Sequence, residues 1–383
     1  MLTQAWPIRK LKRHLRFSVV CVVLILFFIR TIHDRLDAVI QESPVDFSTL
    51  HERGQPALSR PERPIRHFNG SHIDERYCYQ RTLKAGYQGS VYLYQDTFSA
   101  PAKLVVVKTI SAVARNQLPT GLLPSFETVT STWPSELDAS LSITAHSLRE
   151  EAPFVPVHDY FILKDDSSDG ASWAWTMVTP FASGGTLPDL ARQVRSVGRT
   201  EDIDQDFRPT FYRLLEGAQT MHDQGFCHDD IKPQNVFVED DPHRWLLGDL
   251  GNTRQFQHAF HNTRLWKRKN QWPDCKLNDI RRLIKTYLSF LRDASHDREQ
   301  FDIHFVEVST DWAAMYWSFA RDPTSWSFSS PAGSANGTWR GSAARNDGPL
   351  AWYSSCVDSS LRAVAVKQEL LCTPLWWKLW FTP

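Results

Sequence analysis

Residues 226–252, FCHDDIKPQNVFVEDDPHRWLLGDLGN, gather six acidic side chains, one Lys and two Asn around two short apolar runs. Carboxylate and amide oxygens are the hard donors that a magnesium ion takes. A lysine beside them suits phosphate. A solvated loop has much the same composition, so the order of the residues must separate the two readings. Asp230 lies five residues before Asn235, and Asp249 lies fourteen after it. VFVE and WLLGD read as short strands, with DDPHR as the turn between them. Glu239, Asp240 and Asp241 fall at that turn and read as solvated acids.

The elements around this stretch fall into two groups. From Tyr77 onward, SVYLYQDT and AKLVVVKTI read as strands, as do FVPVHDYFIL and SWAWTMVTPF. WPSELDASLSITAHSL has apolar residues at helical spacing (Leu137, Leu141, Ile143, Leu148) and reads as the one helix of this part. After ASGG the character changes. TLPDLARQVRSVG, FRPTFYRLLEGAQTMHDQG and LNDIRRLIKTYLSFLRDA read as amphipathic helices, and Gly225 suits a helix stop. Beyond residue 295 the pattern fades, SWSFSSPAGSANGTWRGSAARNDG reads as a loop, and a helix is expected near 357–371. The aromatic tail LWWKLWF reads as cover for the core, with a membrane interface as the other option. No internal repeat is visible.

With the order of these elements in view, HDDIKPQN (His228–Asn235) resembles the catalytic loop H-R-D-L-x-x-x-N of protein kinases, and GDLGN resembles their D-F-G motif at Asp249–Gly251. The two short strands stand where that family has a hairpin. KAGYQGSV resembles the glycine-rich loop through Gly86, Gly89 and Val91, with Lys84 in place of the first glycine. VVVKT resembles V-A-I-K and points to Lys108; Glu136 is the matching helix carboxylate. MVTPF, which begins at Met177 and Val178, looks like the adenine-contacting hinge. Asp279 looks like the aspartate that braces the catalytic loop, although a helix N-cap fits it equally well.

This resemblance implies an α+β, bilobal protein-kinase-like fold, with a strand-rich lobe over 77–181 and a helical lobe over 182–295. It implies ATP and Mg2+ as cofactors and a protein or small-molecule hydroxyl as acceptor. Asn235 and Asp249 would hold the metal, and Lys108, fixed by Glu136, the α- and β-phosphates. Asp230 would accept or orient the hydroxyl proton, and Lys232 would steady the γ-phosphate. His228, Gly251 and Asp279 would support the loop. The overall wording is similar to a kinase-like group of filamentous fungi.

The sequence also departs from the family. Asp229 replaces the Arg that commonly pairs with a phosphorylated loop, Leu250 replaces Phe, and no A-P-E follows. An insertion, ARNQLPTGLLPSFETVTST, separates Lys108 from Glu136. Protein Ser/Thr phosphorylation is the leading reading. A kinase of small molecules or glycans and a pseudokinase scaffold remain as alternatives.

Bulk properties limit the other possibilities. The 383 residues suffice for two lobes with tails, and a formal net charge of zero argues against a nucleic-acid partner. Residues 1–16 are basic, and Phe17–Ile29 carry no charge. As a helix this run rises only about 20 Å, short of an average bilayer core. It reads as a short uncleaved anchor in the lipid bilayer, with a signal peptide or a buried helix as alternatives. The excess of basic residues before it predicts a single-pass type II protein of the secretory pathway, the side of the membrane being open. Sequons at Asn69 and Asn336 would suit a lumenal chain. Residues 30–76 read as a stem, and 296–383 as a divergent C-terminal part. Cys78, Cys227, Cys275, Cys356 and Cys372 have no metal spacing and read as isolated buried thiols.

Overall fold

The computed structural model describes residues 6–41, 66–69, 73, 75–86, 89–110, 129, 133–150, 153–165, 172–195, 199–325 and 359–370. Two compact units emerge. Residues 1–43 with 257–273 form one, and residues 44–256 with 274–383 form the other.

The smaller unit is built on α1, Trp6–Gln41, a single helix of 36 residues. It runs through the basic tail, the uncharged stretch and the start of the residues read as a stem. Asp37 accepts a 2.7 Å hydrogen bond from the backbone N–H of Leu265, and Asp34 pairs with Arg268. Val22 to Ile29 are exposed all round the helix. No helix among the described residues is long and apolar enough to cross a membrane.

The larger unit opens with a six-stranded sheet. Its strands are β1 (His67–Asn69), β2 (Tyr77–Gly86), β3 (Gly89–Asp96), β4 (Lys103–Ile110), β5 (Asp159–Asp165) and β6 (Ser172–Pro180), in the order β1-β5-β6-β4-β3-β2. Only β1 pairs in parallel, with β5. It lies in the stretch read as a stem, and Ile73 there is fully buried. The folded region therefore begins before Tyr77. The strand expected from Phe154 starts at Asp159 instead. Pro156 has no N–H to give a ladder, and Phe154 makes only an isolated bridge to Leu247.

Alternation along the strands divides the sheet's side chains between two cores. Tyr94, Val105, Val107, Phe161 and Val178 pack on one face with Ile73 and Tyr77. Ile110, Ile162, Trp175 and Met177 pack on the other against Leu137 of α2 (Ser135–Glu150). Lys108 shares the parity of Ile110, so its side chain leaves the sheet on the α2 side.

The helical part contains α3 (Leu187–Val194), α4 (Thr200–Asp223) and, after the strands and α5 given below, α6 (Cys275–Ala294). Between α4 and α6 lie β8 (Phe226–Cys227), β9 (Val236–Val238), β10 (Trp245–Leu247) and β11 (Arg254–Gln255); β7 (Gly185–Thr186) precedes α3. The short helix α5 (Arg264–Arg268) belongs to the smaller unit. Helices α3 and α4 pack on α6, where the Phe211 and Tyr287 rings stack 4.3 Å apart.

Past residue 295 two further helices complete the core, α7 (Arg298–Glu307) and α8 (Asp311–Arg321), with Phe301 stacked on Trp312. Helix α9 (Ser359–Leu370) docks through Glu369, which meets Lys285 at 3.2 Å, together with Arg281 and Tyr316. The tail LWWKLWF, the second sequon, Cys356 and Cys372 lie outside the described residues, as does the insertion apart from Val129.

One expectation about cysteine is overturned. Cys227 and Cys275 form a disulfide, with Cα atoms 6.1 Å apart. Cys78 is exposed.

Candidate active site

The site begins with Lys108 on β4. Its cross-strand neighbour on β3 is Val91, on the same face of the sheet. Glu136 lies in the first turn of α2, where a carboxylate suits the positive end of the helix, and it is buried. The Lys108 ammonium pairs with Glu136 and stands 3.0 Å from Asp249 Oδ1. Burial alone would lower the pKa of Lys108. The two carboxylates outweigh it and hold the lysine charged, above its usual range. Burial likewise pushes Asp249 up, but Lys108 more than compensates and holds it below the usual carboxylate range.

Asp249 has φ 59° and ψ 57°, a left-handed conformation uncommon for a residue with a side chain. It sets the chain into a 3-10 turn, Leu250–Asn252, that includes Gly251 and packs against α2. One turn of chain thus faces both the Lys–Glu pair and the His228–Asn235 loop.

The loop is fixed from beneath by Asp279 of α6, which is fully buried. Its carboxylate accepts the backbone N–H of His228 at 2.7 Å and of Asp229 at 3.1 Å. Arg282 at 3.1 Å and His222 at 3.2 Å complete its surroundings. Burial would raise the Asp279 pKa; the His222 hydrogen bond and the nearby charge of Arg282 bring it down to about 2. Asp279 is not the helix cap: Asp274 is, accepting from the Lys276 N–H at 2.9 Å.

Above this brace, His228 Nδ1 accepts the Asp230 N–H at 3.4 Å and its Nε2 meets the Gly248 carbonyl at 3.1 Å, which makes Nε2 the protonated nitrogen. Lys232 Nζ donates to Asp230 Oδ2 at 2.8 Å. Asn235 Nδ2 donates to the Asp230 carbonyl at 2.9 Å, and the Gly248 N–H donates to the Asn235 carbonyl at 2.9 Å. The β9–β10 hairpin therefore returns the chain so that Asp249 follows directly on a strand tied to Asn235.

The donor set fits a magnesium–nucleotide group. Asp249 supplies a carboxylate whose side chain is 39% exposed. Asn235, with its amide nitrogen committed, supplies an amide oxygen. Both are the oxygen ligands that magnesium requires.

The turn of the glycine-rich stretch closes with Gly86 opposite Gly89. Gly89 has φ 130°, which a side chain would make costly. Tyr87 and Gln88 at its tip lie outside the described residues.

Met177 and Val178 need correction as nucleotide contacts. Val178 is 0% exposed inside the sheet's first core, and Met177, at 6%, packs in the second. Both side chains are committed to opposite faces of β6, because consecutive strand residues alternate. The partly exposed end of this stretch is Thr179 to Ala182.

Three participants were not singled out from sequence. Asn252 Nδ2 reaches Asp230 Oδ2 at 3.4 Å. Arg254 donates to the Asn252 carbonyl at 2.6 Å and faces Asp229 at 3.5 Å. Arg282 stands one helical turn beyond Asp279. Asn252 was visible as the residue after D-L-G; the arginines carry no local signal.

Residues 158–269 match the family model described as the protein kinase domain. Human serine/threonine-protein kinase Nek11 is 27% identical over 183 residues, covering 48% of this chain and 24% of that protein. Serine/threonine-protein kinase chk1 of Schizosaccharomyces pombe is 35% identical over 74 residues, covering 19% of this chain and 14% of chk1. Serine/threonine-protein kinase HAL4/SAT4 of Saccharomyces cerevisiae is 29% identical over 103 residues, covering 27% and 16%. The chain spans a quarter or less of the length of these relatives. The matched segment runs from β5 through the loop and turn described above, so this part of the chain is similar to the protein kinase domain, while Lys108, Glu136 and Asp279 lie outside the matched residues.

Proposed function

We propose that this chain is an ATP- and magnesium-dependent protein kinase acting on Ser or Thr hydroxyls. The observation that carries this reading is the assembled set around two acids. Lys108 is paired with Glu136 and Asp249, while Asp230 is held by Lys232 and Asn235. Each part has a task in phosphoryl transfer, which depends on placement and charge neutralisation more than on covalent help. Magnesium, when bound through Asp249 and Asn235, would neutralise phosphate charge. Lys108 would hold the α- and β-phosphates, its position fixed by Glu136. Asp230 would orient the acceptor hydroxyl and take its proton, and Lys232 would steady the transferred group. In place of Met177 and Val178, the partly exposed residues Thr179 to Ala182, at and just past the end of β6, would meet the adenine.

The Cys227–Cys275 disulfide favours an oxidising compartment, since structural disulfides persist there and are rare in a reducing cytosol. That observation supports a lumenal location for the kinase part. It also supports a second reading, a kinase of glycans or other small hydroxyl compounds. The likeness to serine/threonine-protein kinases favours the protein acceptor.

The test is phosphoryl transfer by the purified full chain with ATP and Mg2+, offered a mixed pool of peptides and small hydroxyl compounds. Asp230→Ala and Asp249→Asn, the latter tolerating the left-handed backbone, are expected to abolish transfer while leaving the melting curve in place. A labelled glycan would select the second reading. Absence of turnover in the wild-type chain, with the fold intact, would point to a scaffold.

A further inference from the structure

Asp229 is a buried acid in a place that needs explanation. Its side chain is 1% exposed. Its backbone, at φ 64°, is left-handed, an arrangement that surrounding structure must enforce. A carboxylate in such a site requires compensating charge. Two arginines provide it: Arg254 Nη1 at 3.5 Å and Arg282 Nη1 at 3.8 Å, with side chains 7% and 10% exposed. Asp279 meets Arg282 as well, at 3.1 Å. Two acids and two arginines thus form one buried, charge-balanced cluster.

The elements that these residues come from give the cluster its meaning. Asp229 adjoins Asp230 in the catalytic loop. Arg282 lies on α6. Arg254 lies on β11, which pairs with β8 directly before the loop. Arg254 also donates to the Asn252 carbonyl at 2.6 Å, and the Asn252 side chain reaches Asp230 at 3.4 Å. A continuous path therefore links Asp229 through Arg254 and Asn252 back to Asp230. The strand after Gly251 is tied to the loop by a negative charge that the chain itself encodes.

We infer that Asp229 is a positioning residue, a built-in anion that clamps the Leu250–Gln255 segment to the catalytic loop so that its ordering needs no added phosphate. This inference rests on the kinase reading for its kinetic consequence, but its structural consequence stands apart from that reading. Asp229→Asn keeps the volume, tolerates the left-handed backbone and removes the charge. Arg254→Gln removes the partner, whereas Arg254→Lys keeps the positive charge.

Three measurements test it. Amide hydrogen exchange over residues 250–256 is expected to accelerate about tenfold or more in Asp229→Asn and Arg254→Gln, with unchanged exchange in the β4 core and little change in Arg254→Lys. This readout needs no turnover, so it decides the clamp even if the chain proves not to be a kinase. In the transfer assay, kcat is expected to fall at least about tenfold in the same two variants with the KM for ATP within about twofold, and Arg254→Lys to recover most of the loss. Phosphatase treatment of the wild-type chain is expected to leave both readouts unchanged. Unaltered exchange at 250–256 in Asp229→Asn, or activity and ordering lost on phosphatase treatment, would overturn the clamp. Loss of exchange protection across the whole chain would do so too, by showing a merely structural charge.

Discussion

Lys108 and Asp249, 141 residues apart in sequence, meet at 3.0 Å across the junction of sheet and helical part. The same ammonium pairs with Glu136. One cation thus bridges two acids from two elements, α2 and the turn after β10. A lysine so placed is held charged against its own burial. On the proposed kinase reading, Asp249 would hold the metal and Lys108 the phosphate, leaving Glu136 as the fixed partner. That reading makes the pair with Asp249 the exchangeable one and the pair with Glu136 the one to be kept.

This distinction predicts the effect of Glu136→Gln. The substitution keeps the shape of the side chain but removes the strongest charge that opposes burial at Lys108. The lysine pKa should fall toward the value that burial favours, and its amine should react faster with an acylating reagent at pH 8. In the transfer assay kcat/KM should drop at least about tenfold, about 1.4 kcal/mol of transition-state stabilisation. Mass-spectrometric labelling of Lys108 reports the first effect without reference to activity. Unchanged labelling would show that Asp249 alone holds the charge.

Asp279 makes a prediction about acid. Its carboxyl is lowered to about 2 from a usual value near 4, so folding stabilises its ionised form. The sign follows from linkage. The stabilisation is fully present above the unfolded-state pKa and is lost as pH falls from about 4 through about 2. Asp279→Asn removes the charge that Arg282 faces and turns an amide toward the N–H donors of His228 and Asp229. At pH 7 it should cost about 3 kcal/mol, the lower end for breaking a buried pair. Denaturant melts of the two proteins from pH 7 to pH 2 should converge as the acid limit is approached. A constant gap down to pH 2 would place the effect in packing instead of charge.

Much of the site was legible because it is local. His228, Asp230, Lys232 and Asn235 fall in eight consecutive residues, and the short hairpin to Asp249 leaves its own strand pattern. Lys108 and Glu136 were paired by element order, and the structure brings them together. Met177 and Val178 show where such reasoning stops. A motif marks the stretch, but which of its residues face a cleft depends on strand parity and on what packs against each face. Helices α7 and α8 were missed because their buried residues are largely aromatic, which are weak helix formers and give an irregular stripe. Arg254 and Arg282 acquire meaning only once Asp229 is buried between them.

The disulfide was illegible for a related reason: Cys227 and Cys275 are 48 residues apart, and no spacing rule joins them. In the fold one sits directly before His228 and the other begins α6, which carries Asp279. The bond therefore closes a loop around the whole catalytic hairpin. By the chain-entropy relation a closure of this length contributes about 4 kcal/mol. Cys275→Ser should lower the melting temperature by several degrees and expose Cys227 to alkylation. Wild-type chain isolated from cells under thiol-blocking conditions should label at Cys78 and not at Cys227 or Cys275. Reductant should lower the wild-type melting temperature to that of the variant. Labelling of Cys227 in freshly isolated protein would show that the bond is absent in the cell, and the oxidising compartment would lose its support.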